Sequence, residues 1–461
     1  MKIFKNLVYT CLICFELSAI SLRESVVQTI STNPDIIASY FDKTQIKLSL
    51  QEQEGSYFPT VDFSSRIEKS DIDEDKKTGV QNQIDINGWN AKLKLNQILY
   101  DGGKTPNQIE QYRHRYNNIK HTSDEKTEDL VLQVVNNYTK LVSFQELISL
   151  SDYKIKNHQK YAKMAKEKEE ISGEILEVYL VNSKVKALID NYIEQEVKQQ
   201  KAFSEYKKLT GREVSGNICR PVIDESLIPP SIEDALDIAL QNNSKVLAQK
   251  ELIKEQVSKA KVERSKFAPT VKLEASAMHD KDIDLQDNGD TDTYTVALTY
   301  DWNLYNGGKD SKTAQKEKIA ILEEKKKLDS IRNDLTDELK GSYNTYFKIK
   351  KRIKNIKEYI LDNKAIVEIY NRQLQDGSRT FLDVLNAESE LFRTKVLLTD
   401  TEFLLFDEYY NILRGLDILS DSILTQASSK CEKYVFNEPI LKFEKPKTKT
   451  YEELSNELGL D

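Results

Sequence analysis

Side chains able to do chemistry are sparse in this chain. His114, His121, His158 and His279 are its four histidines, and none belongs to a His-Glu-x-x-His pair. His114 and His121 share a helical face by spacing, which a solvated face explains. Cys11 and Cys14 fall in the N-terminal leader described below, which leaves Cys219 and Cys431 with no zinc-type spacing. The glycine pairs Gly102-Gly103 and Gly307-Gly308 lack the spacing of a phosphate loop and read as hinges between a strand and a helix. No enzyme and no bound cofactor or metal is expected. The exception is the segment 376–385, Asp-Gly-Ser-Arg-Thr-Phe-Leu-Asp-Val-Leu. Thr380-x-x-Asp383 is a capping-box pattern after a turn at Gly377, with its carboxylate at the positive end of a helix dipole. A carboxylate repeated around a constriction would also attract cations and repel anions, and Arg379 can bond neighbouring carboxylates in bidentate fashion. The two roles are compatible.

These residues are positioned by a chain of 461 residues that is 39% hydrophobic and 31% charged, with only 15 Gly and 9 Pro. That composition predicts long unbroken helices. A net charge of -8 argues against a nucleic-acid partner. Lys2 and Lys5 precede an apolar run ending at Phe15, and Leu17-Ser18-Ala19 offers the small residues of a cleavage site, so 1–19 reads as an export signal. No later stretch has the apolar length of a membrane helix. In an oxidising compartment Cys219 and Cys431 either pair or remain free thiols.

The chain is a duplication. Asn33 and Pro59 recur as Asn243 and Pro269, and Leu99-Tyr100-Asp101-Gly102-Gly103-Lys104 recurs as Leu304-Tyr305-Asn306-Gly307-Gly308-Lys309. Ile175-Leu176-Glu177-Val178 likewise echoes Phe381-Leu382-Asp383-Val384. The organisation read from this is a first repeat over 20–215, a linker over 216–230, a second repeat over 231–420 and a polar tail over 421–461. Each repeat holds a helix, a β-hairpin around a polar loop (71–87 and 280–292), a long helix (104–170 and 309–375) and a return helix (174–209 and 379–414). At about 1.5 Å per residue the long helices would run roughly 100 Å. Charge runs at 166–170 and 323–327 read as exposed helix faces, or as contacts for an adaptor helix.

The strands alternate. Val61, Phe63 and Ile67 interleave with polar residues, as do Trp89, Ala91, Leu93 and Leu95. The second hairpin repeats this with Val271, Leu273, Ala275 and Ala277, and then with Tyr294, Val296, Leu298, Tyr300 and Trp302. Any half-buried sheet alternates. Here the hairpins are carried on very long helices with no other apolar layer to pack on, and both tryptophans, Trp89 and Trp302, stand at strand ends as membrane-interface aromatics do. Four strands cannot close a barrel, so a sheet in lipid requires several copies.

The paired halves, Phe58-Pro59 and Ala268-Pro269 at strand entry, the two Leu-Tyr-x-Gly-Gly exits and the 376–385 segment together resemble the TolC family of outer-membrane efflux proteins, over roughly 25–420. The resemblance implies an α+β membrane protein whose long antiparallel helical hairpins form an α-barrel in the periplasm. It implies a homotrimer in which four strands per chain build one 12-stranded β-barrel in outer-membrane lipid. The function implied is passive conduction from a periplasmic adaptor and an inner-membrane transporter, in efflux or in type I secretion. A periplasmic or surface coiled-coil spacer is the alternative. Arg379 and Asp383 match the family's gating arginine and aspartate ring at the periplasmic tip. Three positions depart: Asn386 stands for a second aspartate, Leu374 for a tyrosine, and Glu177 for the acidic residue of the first turn.

Overall fold

The structure is a computed structural model that describes residues 20–75, 81–214, 218–282 and 289–425. The expected leader 1–19, Cys431 and most of the tail lie outside these residues. In chain order the helices are α1 (Leu22–Thr32), α2 (Pro34–Glu54), α3 (Lys104–Ser172), α4 (Leu176–Thr210), α5 (Ile232–Asn242), α6 (Ser244–Arg264), α7 (Lys309–Gln375), α8 (Phe381–Gly415) and α9 (Leu419–Thr425). The strands are β1 (Thr60–Asp75), β2 (Gln81–Tyr100), β3 (Thr270–Lys281) and β4 (Asp290–Asp301). Among the described residues no helix is long and apolar enough to cross a membrane.

Two compact units each draw on both repeats, and the long helices α3 and α7 pass from one unit to the other. The first unit covers residues up to Tyr40, Ser123–Ser244 and the chain from Arg332 onward. Its core is built on Tyr138, Leu141, Leu339, Tyr346, Tyr409, Tyr410, Ile412 and Leu413, all buried. The duplication survives here as an equivalent pair of bonds. Asn33, between α1 and α2, donates its side-chain amide to the Leu209 carbonyl at the end of α4 (3.0 Å), and Asn243, between α5 and α6, donates to the Gly415 carbonyl at the end of α8 (3.2 Å). In each repeat an asparagine satisfies a carbonyl that a helix end leaves open.

The linker between the repeats is fastened to this unit. The Tyr138 hydroxyl reaches the Ile20 and Cys219 carbonyls (2.8 and 2.7 Å) and accepts from the Cys219 amide (3.1 Å). Arg220 bonds Glu402 (2.6 Å) and Glu146 (3.1 Å) and lies over the rings of Phe403 and Phe406. Cys219 is disulfide-bonded; the other three cysteines lie outside the described residues. The described residues past 420 include most of α9, where the sequence predicts only a polar tail. Glu128 accepts the amides of Leu419 and Ser420 (3.1 and 3.0 Å), which caps α9, and Arg23 donates to the Leu424 carbonyl (2.9 Å). A seven-residue helix is too short to announce itself by period.

The second unit covers Phe41–Thr122 and Lys245–Ile331 and carries the sheet. The four strands are antiparallel in the order β1-β2-β3-β4, so β2 of the first repeat pairs with β3 of the second. The β1–β2 ladder continues through Asp71↔Asp85 to Asp75↔Gln81, inside what the sequence presented as a loop. That stretch is mostly polar, with only Ile72, Val80, Ile84 and Ile86 apolar, and a ladder needs no apolar face when its own backbone bonds satisfy it. β3 stops at Lys281, opposite Trp89, so the far part of the first hairpin is a two-stranded ribbon beyond the four-stranded sheet. Below the sheet α6 laces α3 to α7: His114 pairs with Glu251 (2.8 Å), Asn118 donates to the Ala248 carbonyl (2.8 Å), and Gln249 donates to Glu324 (2.8 Å). His114 is thus tied into a helix contact rather than left on a solvated face.

Candidate functional site

Two regions stand out, the hairpin turns at the far ends of the long helices and the sheet. At the second turn, Gly377 takes a φ of 74° after α7, and its amide and that of Ser378 return to the Leu374 and Gln373 carbonyls (3.1 and 2.9 Å). This double return bond closes a helix end on a left-handed glycine. Thr380 then starts α8 with a reciprocal box: its hydroxyl accepts the Asp383 amide (3.3 Å), and the Asp383 carboxylate accepts the Thr380 amide (3.2 Å). These bonds, with Arg379 nearby, hold the Asp383 carboxyl below the usual range. Arg379 donates to Gln373 (2.9 Å) and lies 4.5 Å from the centre of the Tyr370 ring. Asn386 is exposed one turn further on. At the first turn Gly173 also has a φ of 74°, and Glu177 accepts from Lys168 (2.8 Å). The bonds of Arg379, Asp383 and Glu177 therefore stay within their own hairpins.

What brings the four helices together is apolar. Ala165, Val181, Phe381 and Leu385 are buried as one cluster, and Leu374 packs against it with Tyr161, Ala162, Val178 and Val185. Leu374 thus serves as a packing residue here, with no hydroxyl to offer a neighbour.

Immediately beyond that cluster sits a polar group that sequence reasoning missed. Glu388 of α8 accepts from Lys154 (2.7 Å) and from the Tyr161 hydroxyl (2.9 Å), both on α3, and His158 Nε2 stands 3.3 Å away. Tyr161 also reaches Asn371 of α7 (2.9 Å). His158 is wholly buried, and neither ring nitrogen has a well-aligned hydrogen bond. Burial raises the Glu388 carboxyl, but His158, Lys154 and Tyr161 overcome this and bring it down to about 2. Lys154 is lowered, chiefly by burial. The spacing of 154, 158 and 161 along one helical face was visible. The partner, more than two hundred residues away, was not.

In the sheet the apolar side chains of the edge strands are uncovered: Phe63 is 71% and Ile67 86% exposed on β1, Tyr294 79% and Val296 78% on β4. Each of these strands has one unpaired edge among the described residues. Trp302, just past β4, donates its indole to the Phe267 carbonyl (3.1 Å), whereas Trp89 packs beside His279 near the opposite end of β3, with ring centres 5.1 Å apart. All four hinge glycines have positive φ, 69° and 82° at Gly102 and Gly103, 58° and 77° at Gly307 and Gly308. A Cβ on Gly102 would lie 2.6 Å from the Ser265 carbonyl oxygen and 2.7 Å from the Ala268 Cβ, whereas one on Gly307 would meet nothing within 4 Å.

Comparison with known proteins points one way. Residues 235–402 match the family model of the outer membrane efflux protein. The outer membrane efflux protein BepC of Brucella suis biovar 1 (strain 1330) is 20% identical over 317 residues, which is 67% of this chain and 68% of that protein. The crystal structure of CusC superposes with a TM-score of 0.76 at 14% identity, covering 86% of this chain and 91% of that one. The Campylobacter jejuni CmeC outer membrane channel gives 0.75 at 15% identity, covering 86% of each. At these identities the structural likeness speaks for the fold.

Proposed function

We propose that the chain is a member of the outer-membrane efflux protein family, the TolC-like channels, and the outer-membrane channel subunit of an export assembly, a homotrimer pooling three four-stranded sheets into one 12-stranded barrel. The observation that carries the trimer is the open sheet, with apolar side chains uncovered on both edge strands. In lipid an unpaired edge leaves several backbone groups unsatisfied, each at a cost of several kcal/mol, so the edges must pair with other copies. The dimensions agree. The 12 residues of β3, at about 3.3 Å each and tilted about 40°, rise roughly 30 Å, the height of a bilayer core. Trp302 and Trp89 then stand at its two interfaces as aromatic anchors in outer-membrane lipid.

The helices extend into the periplasm, and their turns form the aperture. Each copy brings one carboxylate, Asp383, to the second turn, where the family pattern has two and this chain has Asn386 at the other place. Three charges select against anions more weakly than six would. Arg379 and Gly377 set the shape of that turn, and Leu374 and Glu177 pack and fasten the hairpins around it. A periplasmic adaptor docks on the helices and an inner-membrane transporter supplies the energy; this subunit conducts passively without chemistry.

The test is direct. Full-length protein purified in detergent should have the mass of three chains, stay with outer membranes through urea washing, and conduct ions in planar bilayers. A monomer that washes off as a soluble rod would refute the proposal in favour of a coiled-coil spacer.

A further inference from the structure

We propose that Cys219 is bonded to Cys431, and that this disulfide staples the two ends of the second repeat together at the place where a β-bridge already closes the first. Cys219 is disulfide-bonded, and its partner is one of Cys11, Cys14 and Cys431. The first two fall within the expected leader, so an exported chain freed of it keeps Cys431 alone as a partner. The folded residues lead to the same choice. Ile20 and Ile218 form a parallel bridge, and the Cys219 amide lies 3.3 Å from the Ile20 carbonyl, so the start of the first repeat and the start of the linker run side by side. Arg23, three residues on, donates to the Leu424 carbonyl (2.9 Å), which brings the end of α9 to the same short stretch of chain. From Thr425 to Cys431 is six residues. At about 3.3–3.6 Å each they span at most roughly 20 Å, enough to return from α9 to the linker.

The surroundings suit a lasting structural bond. Cys219 is only 8% exposed, Tyr138 holds its backbone on both sides of the residue, and Arg220 beside it is anchored by Glu146 and Glu402. At the other end Glu128 caps α9 through the amides of Leu419 and Ser420. The disulfide joins these two fastenings. α9 has seven residues, too few to hold a helix in water unaided, and a covalent bond just beyond it keeps it seated when its few hydrogen bonds open. The loop closed between 219 and 431 contains the whole second repeat, and a loop of that length loses much freedom in the unfolded chain when it is cross-linked. Forming the bond removes two protons and two electrons from two thiols. A disulfide-bearing thiol oxidase of the export compartment takes them: one cysteine thiolate displaces a sulfur of the oxidase disulfide, the other displaces the oxidase from the mixed disulfide, and the oxidase leaves as a dithiol.

The experiment takes full-length protein from membranes, alkylates free thiols with iodoacetamide, digests with trypsin in the absence of reductant and determines peptide masses. Trypsin passes over Arg220 because Pro221 follows it, so the peptide Glu213–Lys245 should appear joined to the tripeptide Cys431–Lys433, two hydrogens lighter than the same pair after reduction. Hydrogen exchange then reads what the bond holds. In Cys431→Ser the amides of 419–425 should exchange about tenfold faster than in wild type while those in the middle of α8 keep their rate, a local change that a bystander disulfide would not produce. Alkylated Cys219 together with alkylated Cys431, Cys219 joined to Cys11 or Cys14, or copies joined to one another until reductant is added would each overturn the proposal. Equal exchange of α9 in wild type and Cys431→Ser overturns the staple as well. None of these readouts involves conduction, so the channel reading above stands or falls separately.

Discussion

Gly102 and Gly307 occupy equivalent places in the two repeats but have different surroundings, and the difference yields a measurement. Both have positive φ, so an alanine at either pays about 1–2 kcal/mol for the left-handed backbone. At Gly102 the new Cβ also runs into the Ser265 carbonyl and the Ala268 Cβ, the corner where the second repeat enters its strand, and overpacking of this kind adds about 1–3 kcal/mol. Gly307 meets nothing, because β4 is the last strand of the sheet. In the proposed trimer the repeat relation would supply Gly55 and Phe58 of a second copy there, at the corner where the first repeat enters β1. Gly102→Ala should therefore weaken each chain, whereas Gly307→Ala should leave the isolated chain nearly untouched and add the overpacking cost at every junction between copies, about 3–9 kcal/mol for three junctions. Light scattering in detergent, as protein is diluted, reads the trimer fraction; circular dichroism in denaturant reads the helices. A Gly307→Ala protein that dissociates no more readily than wild type would refute the reasoning.

Three further outcomes are expected. The pairing Leu95↔Ala275 within the chain translates through the repeat into Tyr300 of one copy opposite Ser65 of the next, so the double variant Ser65→Cys with Tyr300→Cys should give an oxidised trimer ladder on denaturing gels, whereas Phe63→Cys with Tyr300→Cys should not. Arg379→Ser combined with Asp383→Ala should remove the carboxylate half of the Thr380 capping box and make the resting channel pass larger solutes, measured as conductance and as sensitivity of intact cells to bulky antibiotics. Glu146 is pushed up to about 7, first by burial and then by Glu402, against the opposing pull of Arg220. A carboxyl whose folded value lies above its unfolded one stabilises at low pH and loses that contribution as pH rises from about 4.5 to 7, by up to roughly 3 kcal/mol. The slope of stability between pH 5 and 7.5 should accordingly flatten in Glu146→Gln, as read from denaturation midpoints across that range.

The architecture was legible because its signals are periodic or repeated. Asn33 and Asn243 mark the same helix break twice, and the alternation around Phe63 and Val296 could belong only to strands with one apolar face. The 376–385 segment yielded its capping box intact, because capping is decided within four residues. Pairing across the fold was not legible. Nothing near Lys154 announces Glu388, nothing near Arg220 announces Glu146 and Glu402, and nothing before Leu419 shows that Glu128 waits to cap α9. Each of these contacts joins segments brought together by helix packing, and a single sequence records the two ends without the link.

The first hairpin outruns the second. Where β3 ends at Lys281, β1 and β2 continue together as a free ribbon to Asp75 and Gln81. In the proposed trimer the mouth would then be serrated, three tall projections alternating with three low gaps, although the wall beneath it would repeat six times. Antibodies or bacteriophages approaching the cell would meet the projections first. Since those share no ladder with a sister copy, trimming them with protease should strip the crown and leave the cylinder assembled.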